Sequence, residues 1–105
     1  MEVPVELKQR YLSRRIQELA VLKEALLKDD YSHALRIGHQ VKGNAVTFDF
    51  PLMASMGSEL EHAARKQDKE KLFIIVQKME SAITAAQSFF VGRKASVVPE
   101  LFPRS

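Results

Sequence analysis

The sequence contains no cysteine and no tryptophan, and only four glycines and four prolines among its 105 residues. Without cysteine, neither a disulfide framework nor a thiolate metal site is available. No apolar run approaches the roughly 20 residues that a membrane-spanning helix needs. The first ten residues, MEVPVELKQR, contain no apolar segment of the signal-peptide kind. We therefore expect a cytoplasmic protein that does not associate with membranes.

A large excess of charge of one sign is also missing. Sixteen Lys and Arg residues and thirteen Asp and Glu residues are mixed along the chain, for a net charge of +3. Aromatic residues make up only 8%, and no basic stretch is interleaved with them as in surfaces that stack on bases. Nucleic-acid binding would rest on charge alone and is not expected. The hydrophobic fraction of 46% is typical of one soluble globular domain.

Apolar residues recur with helical periodicity over four segments, which predicts helices at residues 4–28, 31–47, 51–66 and 69–90. Pro4 and Pro51 suit first helical turns, whereas Asp29 or Asp30 and Asp68 are suited to cap the helices that follow them. No tight hairpin turn joins two alternating segments, so strands are not expected. The pattern predicts an all-α protein, an antiparallel up-down-up-down four-helix bundle that is stable as a monomer.

Each predicted helix has one apolar face that is expected to line the core. These faces comprise Val5, Leu12, Ile16, Leu19, Leu22 and Leu26 in the first helix, and Ala34, Ile37, Val41, Ala45 and Phe48 in the second. They comprise Leu52, Met53, Met56, Leu60, Ala63 and Ala64 in the third, and Leu72, Ile75, Val76, Met79, Ile83, Ala86, Phe89 and Phe90 in the fourth. Residues 1–91 are thus predicted to form the bundle, and the aperiodic residues 92–105 a flexible C-terminal extension.

The second helix contains two glycines around a histidine, in the stretch IGHQVKGNAV at residues 37–46. At about 100° per residue, His39 lies about 180–200° from the centre of the apolar face, so its ring is predicted to be exposed. The residues expected on the same outward side are Ser32, Leu35, Arg36, Lys42, Gly43 and Val46. Lys42 places a cation beside the ring, and Gly43 removes a side chain that would crowd it. Gly38 lies off to the side, where close helix packing is its expected role.

This grouping suits transient phosphorylation of the His39 ring. A neutral imidazole has one nitrogen free as a nucleophile when the other is held as N–H by an acceptor. Phosphoryl transfer demands mainly positioning and charge stabilisation, and Lys42 supplies a positive charge. Leu35 and Val46 add apolar surface on which a partner can dock. The chain has no Gly-rich phosphate-binding loop, so we expect it to relay a phosphoryl group without using ATP itself and without a cofactor.

Residues 39–68, HQVKGNAVTFDFPLMASMGSELEHAARKQD, resemble the signature of the histidine phosphotransfer (HPt) domain family. That signature has His, any residue, an aliphatic residue, Lys and Gly, then small residues, a turn, and a helix with an LE-A-A pattern. The resemblance covers roughly residues 5–90. It implies a four-helix bundle that is phosphorylated on His39, with a response-regulator receiver domain, a histidine kinase or both as partners.

The resemblance also assigns a role to Glu61. In the family, a Gln or Glu of the neighbouring helix accepts a hydrogen bond from the histidine ring, and Glu61 is the matching residue. Two positions depart from the pattern. Asp49 stands where the family commonly has glycine in the turn, and Gly38 replaces an Ala-like residue before the histidine.

Two other interpretations of the sequence are a helical protein-interaction module that is not phosphorylated, and a metal-binding bundle that uses His33, His39 and His62. The first two histidines point about 120° apart on their helix. The Glu-x-x-His spacing occurs only in ELEH at residues 59–62, whereas di-iron bundles take this motif from two helices. We therefore expect no metal site.

Overall fold

The structure, a computed structural model, describes residues 3–97, with side chains for residues 3–90. This part of the chain forms the helices α1 (Val5–Leu27), α2 (Ser32–Asn44), α3 (Pro51–Arg65) and α4 (Lys69–Val97), and contains no strand. The predicted all-α fold is confirmed. Helix α4, however, continues beyond the predicted end at residue 90, so residues 92–97 of the predicted extension are helical. Residues 98–105 lie outside the described part.

Each of the three connections between the helices contains a non-glycine residue in the left-handed region. These residues are Asp29 (φ 60°), Asp49 (φ 70°) and Gln67 (φ 52°). Aspartate tolerates this conformation better than most side chains because its short polar group can hydrogen-bond locally. Asp49 therefore forms the turn in which the HPt pattern has glycine. Helix α2 ends at Asn44 instead of residue 47 because residues 45–49 form turns and do not continue the α-helix.

The helix starts follow the sequence signals. The Asp30 carboxylate accepts hydrogen bonds from the backbone N–H and the hydroxyl of Ser32, at 3.0 and 2.7 Å. The Asp68 carboxylate accepts one from the Lys71 N–H at the start of α4, at 3.1 Å. Pro51 occupies the first turn of α3, where its missing N–H leaves no helical hydrogen bond unmade.

Contacts between α1 and α2 show their relative direction. Lys8 Nζ lies 3.3 Å from Asp49 Oδ2, and the Tyr11 hydroxyl donates to Asn44 Oδ1 at 2.7 Å. Residue numbers therefore rise along α1 while they fall along α2, so the two helices are antiparallel. Helix α4 packs against α1 and α3.

The buried residues form one core that runs through all four helices, and most of the predicted apolar residues line it. Leu52 and Phe89 are exceptions, with 69% and 57% of their surface exposed. Each lies about 100° around its helix from the centre of the buried face, so the width of the predicted face was overestimated. Glu61 and Arg15 are the buried charged residues of the described part.

The backbones of α2 and α3 approach each other closely at Gly38 and Gly57. A Cβ atom at Gly38 would lie 2.7 Å from the backbone nitrogen of Glu61 and 2.8 Å from the carbonyl oxygen of Gly57. A Cβ atom at Gly57 would lie 2.8 Å from the backbone nitrogen of Lys42. The helices therefore meet backbone to backbone, which confirms the packing role predicted for Gly38. This contact places the middle of α3 directly beside the His39 segment of α2.

Candidate functional site

The ring of His39 stands on the outer face of α2, with 72% of its side-chain surface exposed. The predicted exposure is confirmed. The residues predicted to share its outward face, Ser32, Leu35, Arg36, Lys42, Gly43 and Val46, are all exposed as well. A Cβ atom at Gly43 would meet no atom within 4 Å. This glycine is therefore not required for packing, and it leaves open space beside the ring.

A buried carboxylate lies behind the ring. The Glu61 side chain is only 8% exposed, and its Oε2 atom lies 3.4 Å from His39 Nδ1. Lys42 Nζ contacts Oε1 at 2.8 Å, and Arg65 Nη2 donates to Oε2 at 2.8 Å. One carboxylate is therefore shared by three basic side chains, two from α2 and one from α3.

The spacing of these residues follows from helix geometry and from the glycine contact. His39 and Lys42 are three residues apart on α2, and Glu61 and Arg65 are four apart on α3, so each pair shares one side of its helix. The close approach at Gly38 lets Glu61 reach the α2 side chains from a buried position. Glu61 is thus part of the α2–α3 interface and is not an ordinary solvated surface charge.

The two cations keep Glu61 ionised. Hydrogen bonds from Lys42 and then from Arg65 lower the pKa of the Glu61 carboxyl from 4.5 to about 2, against the opposing effect of burial. The carboxylate is thus an acceptor only, and a ring nitrogen that faces it is favoured as N–H. Because Nδ1 faces Glu61, Nε2 at the other edge of the ring is the nitrogen left for chemistry.

In a comparison with protein-family models, the Hpt domain model matches residues 6–89, which is most of the chain. The chain belongs to the Hpt domain family. Hpt domains are histidine phosphotransfer modules of phosphorelays, lack kinase activity and interact with receiver domains and kinases. A search of curated proteins and a search of solved structures gave no match.

Two residues of this Hpt domain site were missed in the sequence analysis. Arg65 donates to the same carboxylate oxygen that faces His39, and Gly57 forms the α3 half of the helix contact. The position of Arg65 four residues after Glu61 was a readable signal for an ion pair. Gly57 carried no such signal, because its role depends on which residue of α2 lies opposite it.

The other two histidines of the Hpt domain lie apart from His39. His33 Nδ1 is 3.1 Å from Arg36 Nη2, and His62 borders a separate shallow cleft with Ser58 and Lys71. Among the described residues, no group of three or more His, Asp and Glu side chains is placed to hold a metal ion. None of the helices within residues 3–97 combines the length and hydropathy that spanning a bilayer requires.

Proposed function

We propose that His39 accepts a phosphoryl group on Nε2 from the aspartyl phosphate of a receiver domain, and passes it to a receiver aspartate in the reverse reaction. The observation that carries this proposal is the exposed ring with its Nδ1 atom 3.4 Å from a charged, buried carboxylate. Family membership supports the same class of reaction.

The transfer needs no acid or base other than the ring itself. The Nε2 lone pair attacks phosphorus, the bond between phosphorus and the aspartyl oxygen breaks, and the aspartate leaves as a carboxylate. The Nδ1 proton stays on the ring, which becomes positively charged. The Glu61 carboxylate, 3.4 Å from Nδ1, compensates that charge electrostatically. The reverse step restores the neutral ring.

Lys42 and Arg65 have different tasks in this mechanism. An ammonium group has three N–H donors, and Glu61 accepts from Lys42 at one carboxylate oxygen, so the remaining donors are available to phosphoryl oxygens. Arg65 donates to the other oxygen and holds the carboxylate in place while Lys42 moves toward the phosphoryl group. Arg65 is therefore a positioning residue, and Lys42 stabilises the transferred charge.

Access to the ring depends on the surface around it. Gly43 leaves open space one turn after His39, and the exposed Leu35 and Val46 provide apolar contact area on either side. Ser32 and Arg36 complete the proposed docking surface on the preceding turns. A receiver domain has to bring its aspartate within bonding distance of Nε2, which a bulky side chain at residue 43 would prevent.

The experiment is a labelling assay with purified receiver domains carrying a radioactive aspartyl phosphate. We expect wild-type protein to take up label that is lost in acid and stable in base, as for an N–P bond. His39→Gln should take up none, whereas the matched control His33→Gln, on the same helix, should be labelled like wild type. A further arm with ATP alone should give no label, and one with ATP and a histidine kinase tests the kinase as donor.

Equal labelling of wild type and His39→Gln would overturn the proposal. So would the absence of label from every receiver and kinase tested. Stable binding of receiver domains without any transfer would instead support the helical interaction module that is not phosphorylated.

A further inference from the structure

A cleft with a basic rim lies between α1 and α2. It encloses about 220 Å³, and we call it the arginine cleft. The residues that define it are Leu7, Arg10, Tyr11, Arg14, Arg15, Asn44 and Phe48. Three guanidinium groups line this cleft, and no carboxylate does.

The side chains of Tyr11 and Arg15, at the bottom of the arginine cleft, are fixed by contacts with their neighbours. Tyr11 is buried, and its ring stacks on that of Phe48 with 4.5 Å between centroids. The guanidinium of Arg15 lies 4.9 Å from the centroid of the Tyr11 ring and is fixed by a 2.9 Å hydrogen bond from Nη2 to Glu18. A ligand would therefore meet a preformed surface, which lowers the entropic cost of binding.

The polar atoms of the cleft are suited to an anion. Guanidinium groups donate hydrogen bonds and accept none. The Asn44 Oδ1 atom already accepts from the Tyr11 hydroxyl at 2.7 Å, so the amide NH₂ of Asn44 is its remaining polar group. Arg15 is paired with Glu18, and Arg15 Nε and Glu18 Oε1 are both buried without a hydrogen-bond partner. The exposed guanidinium groups of Arg10 and Arg14 are therefore the charges available to a ligand, and they favour carboxylate or phosphate oxygens.

The register of α1 against α2 places the cleft at the same height along the bundle as the proposed docking surface, although Asn44 lies about 140° around α2 from His39. Because Tyr11 lies opposite Asn44 and the helices are antiparallel, Arg14 lies about level with Lys42, and Arg10 about level with Val46. A partner that covers roughly 800 Å² on each side occupies a patch about 16 Å in radius. A domain that covers His39 together with Arg36 and Gly43 therefore extends toward the rim of the arginine cleft.

We propose that the arginine cleft binds an acidic side chain of the receiver domain that docks on His39, and thereby helps to select that partner. The inference rests on the proposed function, since it needs a docked receiver. A protein carboxylate is favoured over a free anion because the cleft is open at the surface and lies at the same height along α2 as the docking surface. The apolar side chain of Leu7, 42% exposed at the cleft, adds a contact that a small inorganic ion would not use.

The test is the charge-reversal variant Arg10→Glu/Arg14→Glu in the full chain, with Lys71→Glu/Lys78→Glu as the matched control. Both variants change four units of charge and lower the net charge from +3 to −1. The control residues are exposed on α4, which packs against α1 and α3. The measurement is the KM and kcat of transfer from a phosphorylated receiver domain, with circular dichroism to verify the fold.

We expect the cleft variant to raise KM for the receiver about tenfold, with kcat within about twofold of wild type, because rim charges act mainly on association. The control should match wild type. The KM of wild type should also rise between about 0.05 and 0.5 M NaCl, and that of the cleft variant much less. Phosphoramidate, a small phosphoryl donor, should phosphorylate all three proteins at equal rates. In this reaction Nε2 binds phosphorus, the P–N bond of phosphoramidate breaks, and ammonia leaves.

The outcomes separate this inference from the proposed function. If the cleft variant and the control have the same KM, the arginine cleft does not bind the receiver, whereas the role of His39 stands. If no receiver transfers to wild type, the proposed function fails and this inference fails with it. A slower reaction of the cleft variant with phosphoramidate would show damage at the His39 site and would also overturn the docking role.

Discussion

The two glycines that flank His39 should respond in opposite ways to the same substitution. Alanine in a helix interior is favoured over glycine by about 0.5–1 kcal/mol. At Gly43 the added Cβ meets nothing within 4 Å, so Gly43→Ala should raise the free energy of unfolding by about that amount. At Gly38 the same gain has to be set against a collision between α2 and α3.

The size of the collision follows from the distances. The Cβ of Gly38→Ala would lie 2.7 Å from the backbone nitrogen of Glu61, about 0.7 Å short of ordinary van der Waals contact at 3.4 Å. The atoms it meets belong to the backbone, so no flexible side chain can move away and the helices have to separate. Overpacking of this kind costs about 1–3 kcal/mol. Taking the upper part of that range, Gly38→Ala should lower the free energy of unfolding by about 1–2 kcal/mol net.

The assay is urea unfolding followed by far-UV circular dichroism, with wild type and both variants measured together. With an m-value of about 1–2 kcal/mol per M, the unfolding midpoints of the two variants should differ by about 1–2 M urea. Each variant is the control for the other, because both carry one alanine on the same helix. A midpoint for Gly38→Ala at or above that of wild type would refute the backbone contact between α2 and α3.

Three further predictions concern the site and the turn beside it. In carbon-13 NMR the Glu61 carboxyl should titrate near pH 2 in wild type and closer to pH 4.5 in the double variant Lys42→Met/Arg65→Met, because both cations lower its pKa. The same titration midpoint in the two proteins would contradict this. Because folding lowers the pKa of Glu61, its ionised carboxylate stabilises the fold above about pH 4.5, and this stabilisation is lost as the pH falls toward 2. In urea unfolding, the double variant should therefore lose less stability than wild type between pH 4.5 and 2. Lys42→Ala should slow phosphoryl transfer about 10- to 100-fold while circular dichroism is unchanged, and an unchanged rate would exclude the charge role. Asp49→Val should lower the free energy of unfolding by about 1–2 kcal/mol because its φ is 70°, whereas Asp49→Gly should not, and equal losses would rule out backbone strain as the cause.

Much of the fold was readable from local signals. Helical periodicity located the four helices, and Asp68 and Pro51 mark helix starts where their chemistry predicted them. The two residues wrongly predicted to be buried have a common explanation. Leu52 and Phe89 lie at the edge of an apolar face, and burial there depends on how the neighbouring helices pack, which periodicity alone does not specify.

At the candidate site, too, features within one helix were predictable from the sequence, and features that depend on helix packing were not. The exposure of His39 and the adjacency of Lys42 depend on positions within one helix, so the sequence was enough to predict both. The position of Glu61 relative to the ring depends on how α2 and α3 are aligned, and only the family resemblance pointed to it. Arg65 and Gly57 were missed because their partners belong to the tertiary contact between these helices.

Because α2 and α3 touch through main-chain atoms at Gly38 and Gly57, the spacing between the backbones of His39 and Glu61 is determined by main-chain contact and not by side-chain packing at that point. We therefore expect substitutions in the core elsewhere in the bundle to leave the backbone of Glu61 in place beside that of His39. Substitutions in the rest of the domain should therefore have little effect on the arrangement of His39 and Glu61. The exposed residues around His39 can meanwhile change to suit different partners.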